Sequence, residues 1–464
     1  MKLFNSILFA ALSSALISTA HAQSSTAPST ECVPKSEMQT IAQHFTQFAD
    51  LAKADYCNDE SPNWYLVSSI MYMRKTQFSP NMPVSKDELF TGRFANDWYG
   101  YFIGRINDLS IVNDCPKGVI AYVYMFGNTM YVCPAALTKS FSSLDRASVM
   151  MHEARHIDGF PHITCSKGAR QGLQGACDTK IADGGSYAVT VETYAQLAKY
   201  AEGIHPAMRA YAKSSAVIYA DEAFENQVKI SRSEKLVLLT SGLDFHSMDV
   251  STGSLKQLGK ASAPGKIVKR GQHMIIFPTD KTLKAQYVFA NNEGEISQSP
   301  SDFITEYNAG TPDQKANLVD LHIGAQWSAR VYKNKVTFVC DPRSPATTDI
   351  ALPAGQTAAN LVYPNGYARE VYTAQLAPES GDTFDLSCAN KQASLKPSAL
   401  RLDQKYSRVY KANGQVFGVA QGRLFKIEGQ RSTPVQTAVD GQIIEIVPVQ
   451  SFDFFDSSAG VSKQ

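Results

Sequence analysis

Beyond its first two dozen positions, the 464-residue chain has no apolar run approaching the ~18 to 20 residues needed to cross a bilayer as a helix. A membrane span is therefore not expected. Nor is either sign of charge in excess. Lys and Arg number 44 against 43 Asp and Glu, with no basic cluster, which argues against nucleic acid or an anionic membrane surface as partner. No C-x-x-C pair occurs, so a thiolate zinc site or a redox dithiol is not expected. WD and kelch signatures are also missing.

The N-terminal segment 1–22 has a cation at Lys2, an apolar stretch from Leu8 to Ile17, and the small-x-small end Ala20-His21-Ala22. These are the parts of a secretory signal peptide, with cleavage expected to leave Gln23 as the new N-terminus. No cysteine stands at that point to carry a lipid. A periplasmic or secreted protein is expected. All eight cysteines lie downstream, an even number suited to an oxidising compartment. Their spacing suggests neighbour pairs, Cys32 with Cys57, Cys115 with Cys133, Cys165 with Cys177 and Cys340 with Cys388, although spacing alone leaves other connectivities open.

The mature chain exceeds the ~250 to 300 residues at which single cores stop growing, so at least two domains are expected. After a polar linker, 23–31, residues 32–228 mix helical periodicity with one strand pair, an α+β texture. The run GVIAYVYMFGNTMYV, Gly118 to Val132, reads as a hairpin turning at Gly127-Asn128. A helix follows, capped by Ser142 with Asp145 three residues on, and should stop near Gly159 and Pro161. Two further helices are predicted over Gly185–Ala201 and Pro206–Val228. Residues 229–464 are instead short apolar runs such as KLVLLTSG, HMIIFPTD and QIIEIVPV, punctuated by Gly, Asn, Asp and Pro. An all-β domain is expected, propeller-like with five or six blades, or alternatively a β-sandwich.

The predicted helix ends in the most informative residues of the chain. His152, Glu153, His156, Gly159 and His162 spell H-E-x-x-H-x-x-G-x-x-H, a pattern that composition would produce by chance in roughly one chain in a hundred thousand. His152 and His156, four residues apart, project from one helix face and can share one ion. Gly159 lets the chain turn back, so that His162 can supply a third nitrogen. Three protein ligands leave a fourth tetrahedral position open, the arrangement of catalytic rather than structural zinc. Glu192, on the next helix, is an alternative third ligand. Asp158 is a candidate acceptor for a ligand imidazole. Tyr187 and Tyr194 are candidate donors to an oxyanion, although tyrosines on an apolar stripe usually belong to a core.

On these residues the chain resembles a zincin metallopeptidase, and the run HEARHIDGFPH is similar to the extended signature of the metzincin clan. The resemblance spans roughly Cys115 to Ala201 and leaves the C-terminal half unassigned. It implies that His152, His156 and His162 bind Zn2+ and that Glu153 is the general base. It also implies a substrate-aligning strand before the helix, for which Thr129 to Val132 is the candidate. Met208, the nearby methionine in HPAMRAYA, reads as helical rather than as the methionine turn of that clan. The expected activity is hydrolysis of a peptide or protein substrate by zinc-activated water. The alternative is an extracytoplasmic recognition protein whose β-domain binds a protein or glycan and whose zinc site is structural.

Overall fold

In the computed structural model, the described residues are 31–84, 93–116, 119–139, 141–167, 170–204, 206–228, 232–270, 273–280, 282–283, 285–290, 296–300, 317–323, 327–340, 346–363, 374–389 and 391–452. The signal segment and all but the last linker position lie outside them. The chain divides into two compact units, the first reaching Ile230 and the second spanning Ser231–Asp453. A mixed helical region is thus followed by a large all-β region.

The first unit opens with β1 (Cys32–Val33) and α1 (Lys35–His44), then β2 (Tyr56–Cys57), which pairs with β1. Helices α2 (Pro62–Lys75) and α3 (Trp98–Ile103) precede a small sheet of β3 (Asp108–Ile111), β4 (Ala121–Val123) and β5 (Thr129–Val132). The predicted hairpin is β4 with β5, antiparallel, turning through Gly127-Asn128. The expectation that Thr129 to Val132 offers an edge to substrate is corrected here. The sheet order is β3-β5-β4, and parallel β3 occupies the second side of β5, so among the described residues the free edge near the helix is that of β4.

Helix α4 (Ser143–Ile157) begins where the sequence indicates, with the Ser142 hydroxyl accepting from the backbone N–H of Asp145 at 3.0 Å. It buries Leu144, Ala147, Met150, Met151 and Ala154 against α2, α3, β4 and the next helix, α5 (Ser186–Tyr200). Every residue of α5 from Ser186 to Ala198 is buried, so this helix is enclosed on all faces, and α6 (Pro206–Glu222) packs on it. The predicted extension of α6 to Val228 does not form. Residues 223–226 instead pair with 178–179: Asp178 donates its backbone N–H to Ala223 and accepts from Glu225.

The second unit is built from antiparallel meanders. Its strands are β6 (Arg232–Thr240), β7 (Asp244–Asp249) and β8 (Leu255–Lys260); β9 (Gly265–Arg270), β10 (His273–Pro278), β11 (Gln286–Ala290) and β12 (Ile296–Pro300); and β13 (Leu318–Ile323), β14 (Ser328–Tyr332), β15 (Lys335–Val339) and β16 (Thr348–Ala351). Next come β17 (Ala358–Tyr363), β18 (Ala374–Pro378), β19 (Phe384–Ala389) and β20 (Gln392–Pro397), then β21 (Arg408–Ala412), β22 (Gln415–Ala420), β23 (Arg423–Glu428), β24 (Arg431–Pro434) and β25 (Ile443–Phe452). The last strand returns to pair with the first, giving the order β25-β6-β7-β8. The meanders β17–β20 and β21–β24 are joined through a short parallel pairing of β17 with β21.

One terminal strand from each four-strand set faces its neighbours in a closed cycle: β25 against β9, β9 against β13, β13 against β17, β17 against β21, and β21 against β25. Side chains from all five sets share one core, among them Leu238, Ile267, Phe338, Leu361, Tyr410 and Ile446. Arg408, fully buried, lies where these terminal strands meet. Its guanidinium bonds the Asp320 carboxylate, both Glu445 oxygens at 2.6 and 3.0 Å, and the Ile267 carbonyl at 2.7 Å. The two carboxylates in turn accept the backbone N–H groups of Leu361 and Ile267, each at 3.0 Å. Nothing in the local sequence marks this network, whose members are separated by up to 178 positions.

The described cysteines join as Cys32–Cys57, Cys115–Cys133, Cys165–Cys177 and Cys340–Cys388, and none is free. Four disulfides fit a protein of an oxidising, extracytoplasmic compartment. No helix among the described residues is long and apolar enough to cross a membrane.

Candidate metal centre

His152 and His156 sit on consecutive turns of α4, and His162 reaches them from the loop beyond Gly159, whose φ of +89° is open to glycine at little cost. The three imidazoles form a group whose candidate ligand atoms all lie within 4.8 Å of one another. Burial keeps His152 and His156 well below the ordinary imidazole range, with the neighbouring histidines adding to the effect, so both are neutral and competent as ligands.

The partners of the Nδ1 atoms fix which nitrogen faces inward. His162 Nδ1 lies 2.8 Å from Asp178 Oδ1, an acceptor only, so it carries the proton. His156 Nδ1 lies 2.5 Å from the Phe160 carbonyl, again an acceptor, and 3.0 Å from the Ser186 hydroxyl. His152 Nδ1 lies 2.8 Å from the Thr190 hydroxyl, which donates its own proton to the Ser186 carbonyl at 3.2 Å and therefore accepts from the ring. All three Nε2 atoms are thus left as lone-pair donors. This is how metal-bound histidines are held, by acceptors on the opposite ring nitrogen.

Two consequences bear on occupancy. His152 Nε2 and His162 Nε2 stand 3.0 Å apart, so two lone pairs face one another at a distance that repels unless a cation lies between them. Nitrogens each about 2.0 to 2.1 Å from one tetrahedral ion lie ~3.3 Å apart, close to this separation. His156 Nε2 is buried without any hydrogen-bond partner, as is Glu153 Oε1. Both atoms are free to face a metal ion or a water bound to one. The residues fit a metal ion held by three histidines.

Glu153 is buried beside His152, and burial raises its carboxyl well above the ordinary range. Glu192 is not part of the group, which corrects the alternative third ligand. Its carboxylate accepts from the Phe94 N–H at 2.9 Å and from Gln196 at 2.8 Å and lies 3.7 Å from Arg93, with burial pushing it up to about 8. Asp158 does not orient a ligand either. It pairs with Arg105 at 3.0 Å and Arg155 at 2.8 Å at the end of α4. Tyr194 donates to Asp145 at 2.7 Å and so is committed to the core, whereas Tyr187 stacks on His162 with ring centroids 4.4 Å apart.

Asp178, Thr190 and Ser186 escaped sequence reasoning. Asp178 holds two elements at once, because its second oxygen accepts the backbone N–H of Tyr187 at 2.9 Å in the first turn of α5. Gly185 permits this approach: a Cβ there would stand 2.5 Å from Asp178 Oδ2. An aspartate following a cysteine that pairs back towards the third histidine was the available signal.

No protein-family model matches the chain. No curated protein matches it either. Among solved structures, it is similar over 47% of its length to a protein of unknown function from Bacteroides caccae, with 99% of that chain covered, 10% identity and a TM-score of 0.27. It is also similar to PorZ, a surface component of the type-IX secretion system of Porphyromonas gingivalis, over 47% of this chain and 28% of that one, at 13% identity and a TM-score of 0.23. A third likeness is to the Cps50 (Swd1) β-propeller domain of Myceliophteria thermophila, over 48% of this chain and 76% of that one, at 11% identity and a TM-score of 0.22. Likenesses at these scores decide neither fold nor function.

Proposed function

We propose that the chain is a secreted or periplasmic zinc-dependent peptidase of zincin type, with His152, His156 and His162 as ligands and Glu153 as general base. The carrying observation is the three inward Nε2 atoms, each with its Nδ1 held by an acceptor, next to a buried carboxylate that has an oxygen without a partner. A structural site gains nothing from such a carboxylate. Zinc, when bound, supplies Lewis acidity and lowers the pKa of a coordinated water to near 7.

The chain's own groups do the remainder. Glu153 takes the proton from the attacking water and returns it to the leaving nitrogen. Asp178, Thr190 and Ser186 hold the imidazoles in one tautomer throughout. The free edge of β4 can align extended substrate by strand addition. Beyond that strand, Phe126 is 81% exposed and left-handed at φ +63°, and its ring would lie 3.1 Å from a Cβ placed on Gly159. An exposed aromatic held in a costly backbone conformation beside the site favours substrates with an apolar side chain there.

For the second unit, the closed cycle of five terminal strands and the return of β25 to β6 support a five-bladed β-propeller over stacked sheets. The test of the reading is Glu153→Gln on a protein substrate. Metal content should stay at the wild-type level while turnover falls by ~10^2- to 10^4-fold. Retained turnover removes Glu153 from its role, and a wild-type protein that binds zinc yet cleaves nothing favours the recognition alternative.

A further inference from the structure

The third ligand differs from the other two in having no helix beneath it. His152 and His156 are held by the hydrogen bonds of α4, whereas His162 lies on the segment that follows its end. That segment is fastened at three points to one short stretch of chain. Ile163 and Cys177 exchange backbone hydrogen bonds, Ile163 N–H to the Cys177 carbonyl at 2.8 Å and Cys177 N–H to the Ile163 carbonyl at 3.3 Å. The Cys165–Cys177 disulfide adds a covalent link, buried at both ends. Next to Cys177, Asp178 accepts from His162 Nδ1 at 2.8 Å.

The order of residues makes this one device. Cys165 is three positions after the ligand, and Cys177 is one position before the carboxylate that orients it. Tying the cysteines therefore fixes the distance between His162 and Asp178. Asp178 is itself anchored on its other side by the Tyr187 N–H and by pairing with residues 223–225. On the zinc reading above, we propose that Cys165, Cys177 and Asp178 form a positioning clamp for the third ligand, and that metal affinity depends on it.

The clamp separates from ordinary stabilisation, because the protein has another disulfide, Cys32–Cys57, remote in sequence from the histidines. Metal-free wild type, Cys165→Ala/Cys177→Ala, Asp178→Asn and Cys32→Ala/Cys57→Ala are titrated with Zn2+ by calorimetry. The visible spectrum of each is recorded with Co2+ in place of zinc. Removing partners that orient a ligand typically costs 10- to 100-fold in metal affinity. A Zn2+ Kd raised at least ~10-fold is expected for both clamp variants, with a changed Co2+ spectrum and an unchanged far-ultraviolet dichroism. Cys32→Ala/Cys57→Ala should stay within ~3-fold of wild type, with the wild-type spectrum.

If the cysteine variant does not fold, Asp178→Asn decides the matter with the disulfide intact. Wild-type affinity and spectrum in the clamp variants overturn the clamp while leaving the metal reading in place. A wild-type protein that binds no Zn2+ overturns both.

Discussion

A histidine becomes a metal ligand through what holds its far nitrogen as much as through its place in a motif. The spacing of His152, His156 and His162 is visible in the sequence because two of them obey the helix period and the third follows a turn glycine. Their acceptors are not, because Asp178, Thr190 and Ser186 are brought to them by packing of α5 and of the disulfide loop. Glu192 misleads for the same reason: its helix position is compatible with a ligand, but its Oε1 accepts from Phe94 and Gln196, its Oε2 lies 3.7 Å from Arg93, and it is not part of the histidine group. Another buried histidine shows what burial does away from the site. His322, whose ring centroid lies 4.1 Å from that of Trp327 at a tilt of 39°, is pushed down to about 4 by burial, partly opposed by Asp320. An unfolded chain binds that proton near pH 6.5, before the folded one does. Its contribution is complete above about pH 6.5, is lost as pH falls through that window, and levels off below about 4, with a total of at most ~3 kcal/mol. Denaturant unfolding of wild type and His322→Gln between pH 7 and 4 should give curves whose separation narrows on acidification. A constant separation would remove this assignment.

Among the elements, α4 is the most legible, since Ser142 caps it, its apolar residues Leu144, Ala147, Met150, Met151 and Ala154 are buried, and Gly159 ends it. The β4–β5 hairpin is read from its Gly-Asn turn, but the parallel neighbour β3 is not, because parallel pairing depends on chain crossover rather than local pattern. In the second unit the strands follow from their apolar alternation and turn residues. Their cyclic arrangement does not, because contacts such as β25 with β6 join residues about two hundred positions apart. The Arg408 network ties those elements together at their meeting point. Arg408→Met removes the guanidinium that the buried Asp320 and Glu445 share and leaves Lys266, 3.5 Å from Asp320, as the remaining nearby cation, so a loss of ~3 to 5 kcal/mol is expected in unfolding followed by far-ultraviolet dichroism. A loss below ~1 kcal/mol would mean that packing alone closes the cycle.

For the molecule as a whole, the candidate metal site lies in the helical unit. Among the described residues the three histidines are the group identified as able to hold a metal, and the strand-built unit contributes a core organised around buried charge. Four disulfides agree with an extracytoplasmic protein. On the reading proposed above, His152, His156 and His162 share one metal ion. Elemental analysis of protein purified from an oxidising compartment and dialysed against metal-free buffer tests it most directly, with His156→Ala as comparison. About one zinc per chain in wild type and almost none in His156→Ala is the result expected of a three-histidine site. Wild-type protein without metal, or a variant that keeps it, would contradict the claim.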